Sequence, residues 1–76
     1  MPRWAPCKRR TFIRKLRTLG FGAPQPGGRH FYMRRGTLTL AIPSNDEFSV
    51  PQLRELLREV ELVLGRAISL DDWSKL

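Results

Sequence analysis

Apolar side chains recur at Phe12, Ile13, Leu16 and Leu19, which puts them on one face of a helix expected over Cys7 to Leu19, with Gly20 as its stop. Gly20 to Gly28 is glycine- and proline-rich, with room for a short edge strand near Gly22 to Gln25 before the Gly27-Gly28 pair turns the chain. Arg29 to Arg34 and Thr37 to Ile42 then read as two strands of a hairpin joined at Arg35-Gly36. Period-two alternation places Phe31 and Met33 of the first strand, and Leu38, Leu40 and Ile42 of the second, on a core face. It leaves His30, Tyr32 and Arg34 together on the outer face.

After a loop from Ser44 to Phe48, Ser49-Val50-Pro51-Gln52 has the form of a capping box opening a second helix. Leu53, Leu56, Leu57, Val60 and Leu64 form that helix's apolar stripe, Gly65 ends it, and Glu55 with Arg58 and Arg58 with Glu61 are placed to pair. Ser69 ahead of Asp71 and Asp72 repeats the start signal for a short turn carrying Trp73. The order predicts an α+β fold of two layers, α-β-β(-β)-α, with both helices on one face of a small antiparallel sheet. Residues 1–6 are expected to form an irregular arm, and 7–76 the single domain.

Seventy-six residues allow only a small core, since a chain this short buries roughly 60% of its unfolded surface. Its apolar runs are too short for a membrane span or a secretory leader. Cys7 is the sole cysteine, which excludes an internal disulfide and favours a reducing cytoplasm. One histidine and three aspartates without ligand spacing suggest no metal and no cofactor.

Charge sharpens the picture. Met1 to Asn45 holds ten Lys or Arg and no acid, a charge of +10, while Asp46 to Leu76 holds seven acids and four bases, a charge of −3, which together make the net +7. An acid-free cationic half is the footprint of a polyanion binder, because neutralised phosphates release condensed counterions. Arg10, Arg14 and Arg17 stack on the polar face of the first helix as a ridge about 10 Å long. Ridge and hairpin are expected to form one basic surface with the His30 imidazole beside it.

The element order resembles the double-stranded-RNA-binding fold. The run Phe12-Ile13-Arg14-Lys15-Leu16, Leu19-Gly20-Phe21, Gly28-Arg29-His30-Phe31-Tyr32, Leu38 to Pro43 and Leu53 to Leu57 resembles, in order and spacing, the HicA family of mRNA interferase toxins. That resemblance implies the double-stranded-RNA-binding-like fold, cleavage of mRNA, a HicB-type antitoxin as partner, catalysis by His30, and a structural role for Gly28. Arg29 stands where the family usually has serine, and Asn45 stands near the place of a second histidine.

An imidazole titrates near neutrality and can take the proton of a ribose 2′-hydroxyl without a metal. His30 is therefore the expected catalytic base or acid, with Arg10, Arg14, Arg17, Arg29, Tyr32 and Arg34 as RNA-binding residues and Tyr32 offering a ring to a base. Two other readings stay open: a non-catalytic RNA-binding module of the same fold, and an interaction domain whose basic face docks an acidic protein.

Overall fold

At Lys8 the backbone is extended (φ −67°, ψ 141°), and the residues before the first helix form a strand. A computed structural model describes residues 3–76: β1 (Cys7–Lys8), α1 (Arg9–Thr18), β2 (Gln25–Gly27), β3 (His30–Arg35), β4 (Leu38–Ile42), β5 (Glu47–Phe48), α2 (Val50–Leu64) and α3 (Leu70–Ser74). The arm expected over 1–6 carries no regular structure from Arg3 to Pro6, while Met1 and Pro2 lie outside the described residues. Trp4 of that arm packs half-buried against the core, with the Arg54 guanidinium 5.6 Å from its ring centre.

Two corrections concern the short strands. Cys7 and Lys8, expected as helix, pair antiparallel with Phe48 and Glu47, expected as loop. Main-chain pairing across forty residues overrides the weak helical signal at the start of α1, and Arg9 N adds a 2.8 Å bond to the Asp46 carbonyl. The edge strand falls at Gln25–Gly27, later than expected, although Gly22 N still donates to the Arg34 carbonyl at 2.7 Å.

The main sheet runs β2-β3-β4, antiparallel throughout. Gly27 pairs with His30 and Arg35 with Leu38, so both hairpins close through two residues, Gly28-Arg29 and Gly36-Thr37. The second turn thus lies one residue beyond the expected Arg35-Gly36 joint. Each turn begins with a glycine at positive φ, 67° at Gly28 and 65° at Gly36, a backbone state that a β-carbon disfavours.

Met33, Leu40 and Ile42 from the sheet, Phe12 and Leu16 from α1, Leu53 and Val60 from α2, and Trp73 from α3 form one apolar cluster. The helices therefore cover one face of the sheet in a small α+β domain, and no charged or polar side chain is buried among the described residues. Phe12 sits at the centre, edge-on to Phe48 with ring centroids 5.3 Å apart and 5.6 Å from Trp73. Phe31 and Leu38, expected in the core, are 43% and 50% exposed. They lie at opposite ends of the helix-facing side of the sheet, Phe31 near the start of central β3 with the Arg9 guanidinium 5.3 Å from its ring centre, and Leu38 at the start of edge strand β4 across from Arg35.

The two helix-start signals and the side-chain pairs expected on α2 are met unevenly. Ser49 Oγ accepts from Gln52 N at 3.3 Å, but the Gln52 amide pairs twice with Asn45 and does not return to the Ser49 backbone. The full reciprocal box forms at α3, between Ser69 and Asp72. Arg58 pairs with Glu55 at 3.1 Å, whereas Glu61 does not pair with it and accepts from Ile68 N at 2.6 Å, because the loop after Gly65 presents an otherwise unpaired N–H. No described helix is long and apolar enough to cross a membrane.

Candidate nucleic-acid interface

β3 sets the geometry of the candidate site. Its first residue, His30, is exposed and follows the Gly28-Arg29 turn, in which Arg29 is exposed as well. Alternation along β3 puts His30, Tyr32 and Arg34 on the face away from the helices, as expected. Across the sheet the same face carries Gln25, Gly27, Thr39 and Ala41. None of these is acidic, and Gln25, Pro26, Tyr32, Arg34 and Thr39 line a shallow depression there.

Tyr32 is half-buried although it is on the solvent face, because its ring lies over Gly27. The glycine singled out in the sequence, Gly28, shapes the turn through its positive φ and has open space around it. Its neighbour Gly27 seats the ring. No pattern in the sequence distinguishes the two, since the contact is diagonal across strands.

Arg10, Arg14 and Arg17 are all exposed on α1, opposite Phe12 and Leu16, which confirms the ridge itself. Its position relative to His30 corrects the expectation of a single surface. α1 lies along β3: Arg9 at its start covers Phe31, and Leu19 at its end accepts from Arg35 Nε at 3.4 Å. A ten-residue helix is about 15 Å long and Phe31 to Arg35 spans about 13 Å, so the two elements match in length. The helix shows the sheet its apolar stripe and turns the ridge outward. The ridge and the His30 face consequently point to opposite sides of the two layers, with Arg10 nearest the His30 end and Arg17 farthest along.

Three cations missing from the expected set are engaged by the fold. Arg9 donates from Nε to the Pro43 carbonyl at 2.9 Å and lies 5.3 Å from the Phe31 ring centre. Arg35 is tied to Leu19. Lys15 donates to the Trp73 carbonyl at 2.7 Å and sits 4.7 Å from that ring's centre, where burial lowers its pKa from the ordinary lysine range. Among the described residues the ion pairs are Arg58–Glu55 and Lys75–Asp71, at 3.1 and 2.9 Å. Both lie in the acidic half, so among the described residues up to Asn45 no cation meets a carboxylate at ion-pair distance. Cations that form no contact ion pair within the protein leave their field available to an external polyanion.

His30 makes no side-chain hydrogen bond or ion pair among the described residues. Comparison with protein-family models, curated proteins and solved structures found no match.

Proposed function

We propose that this protein is an RNA-cleaving toxin of the HicA type, with the double-stranded-RNA-binding-like arrangement of the α+β class and a HicB-type antitoxin as its partner. One observation carries the reading: an exposed histidine opens a strand on a sheet face that has an arginine, a seated tyrosine ring and no acid. His30 accepts the proton of a ribose 2′-hydroxyl, the 2′-oxygen forms a bond to the adjacent phosphorus, and the bond from phosphorus to the 5′-oxygen breaks. The leaving oxygen takes a proton from the imidazolium, which yields a cyclic phosphate and a 5′-hydroxyl. Arg29 and Arg34 steady the phosphate as charge builds on it, and Tyr32 stacks on a base. The route uses no metal and no cofactor, and the site of action is the cytoplasm, where message is found.

The imidazole also favours a second reading, a non-catalytic RNA-binding module, because among the described residues no titratable side chain is hydrogen-bonded to it to complete an acid and base pair. Incubating the purified protein and its His30→Ala variant with single-stranded RNA, with and without a chelator, separates the two. The proposed function expects cyclic-phosphate products that persist with chelator and vanish in the variant, while the variant's RNA affinity changes little. Cleavage retained by His30→Ala removes that residue from the chemistry, and salt-sensitive binding without products leaves the module.

A further inference from the structure

We propose that the hollow at the His30 end of the sheet, lined by Lys8, Arg9, Arg10 and Asp46, holds a second phosphodiester of the bound RNA, with Arg9 as its main contact. This rests on the RNA reading and adds a subsite to it. The Arg9 guanidinium is held from two sides, by the Pro43 carbonyl at Nε and by the Phe31 ring, whose centre lies 5.3 Å from Cζ. Its two terminal nitrogens have no partner among the described residues. A planar fork already immobilised, half-buried and with both outer amino groups free is suited to grip phosphate in bidentate fashion.

Position ties this fork to His30. Phe31 pairs with Ile42, so continuing the register sets Pro43 across from His30, and cross-strand neighbours in an antiparallel ladder are about 5 Å apart at Cα. Arg9 is thus anchored to the residue facing His30 while approaching from the helix side. A strand that leaves the His30 face over this end of the sheet meets Arg9 next and then Arg10, the first residue of the outward ridge. The hollow thus lies at the end of α1 that covers Phe31, the neighbour of His30. Arg9 escapes a reading of periodicity because it falls in phase with the apolar stripe, three and four residues before Phe12 and Ile13, where a cation is not expected.

Asp46 is the discordant group, a carboxylate lining a hollow with three cations. It makes a test of opposite sign available. Binding of a fluorescent single-stranded RNA carrying 2′-O-methyl groups, which cannot be cleaved by 2′-hydroxyl attack, is measured over a range of salt. The unaltered protein is compared with Arg9→Met, Asp46→Asn and, as a distant control on α2, Glu59→Gln. Arg9→Met keeps an unbranched stem without the guanidinium and is expected to flatten the slope of log affinity against log salt by about 0.7, the share of one phosphate on a single strand. Asp46→Asn is expected to tighten binding several-fold and Glu59→Gln to leave it nearly unchanged. If Asp46→Asn matches Glu59→Gln, the hollow holds no phosphate, even if Arg9→Met proves unstable. An Arg9→Met slope equal to that of the unaltered protein overturns the proposal too. No RNA binding by the unaltered protein removes the RNA reading itself, and the subsite with it.

Discussion

A β-carbon on Gly27 would come within 2.6 Å of two ring carbons of Tyr32, so this glycine is the floor on which the ring lies. Such a distance is not tolerated, and the ring must swing off its seat in a Gly27→Ala variant. The displaced rotamer costs about 0.5–1.5 kcal/mol of stability. If the ring stacks on a base, RNA affinity falls in the same variant toward that of Tyr32→Ala, a loss of about 1–3 kcal/mol. Thermal melting and a binding titration read the two effects separately. A Gly27→Ala protein with unaltered RNA affinity takes the seated ring out of the interface.

Opposite orientation of the two basic faces gives a length dependence to binding. A tetranucleotide can lie on the sheet face alone and is expected to respond to Arg34→Gln but not to the pair Arg14→Gln and Arg17→Gln. A longer strand that turns over the His30 end reaches the ridge, and its salt slope is expected to lose about 0.7 for each ridge contact removed. Equal sensitivity of the short strand to both sets of changes would mean that the faces act as one surface.

Much of this layout is legible in the chain because its periods are unambiguous. Met33, Leu40 and Ile42 alternate with polar positions and are buried, and the stripe Leu53, Leu56, Leu57 and Val60 is buried as well. The His30, Tyr32 and Arg34 face follows from the same alternation. What stays hidden depends on contacts remote in sequence. Cys7–Lys8 and Glu47–Phe48 are too short for any period and exist by pairing with each other. Phe31 and Leu38 carry the correct phase but lie at the ends of their strands, where phase alone does not decide burial. The opposed directions of ridge and imidazole arise from how α1 lies on β3, which neither element encodes alone.

Phe12 is fully buried against Phe48 and Trp73, linking α1 to β5 and α3. Truncating a buried phenylalanine costs about 3–5 kcal/mol, and a domain of this length has roughly 4–11 kcal/mol in total. Phe12→Ala is therefore expected to be partly unfolded at room temperature. Its urea midpoint should fall by more than that of Leu62→Ala, since Leu62 is 80% exposed. Similar midpoints for the two variants would deny Phe12 its central place.

Cys7 is buried beside β5, and loss of solvent raises its thiol pKa above the ordinary 9.0, against the lowering influence of Lys15 and Arg14. The folded state thus keeps the proton at a pH where the unfolded thiol has already ionised. Stability from this group is complete below pH 9.0 and is lost as pH rises toward and through the folded value. Lys15 acts in the opposite sense, because burial lowers its pKa from 10.5 and the unfolded chain holds that proton longer. Comparing the protein with Cys7→Ala at each pH sets the lysine largely aside. The melting temperature of the cysteine form is expected to drop relative to the alanine form between neutral pH and pH above 9, with a thiol reagent reacting slowly until unfolding begins. A constant difference across that range, or rapid labelling at neutral pH, would show the thiol to be solvated and the β1–β5 pairing open.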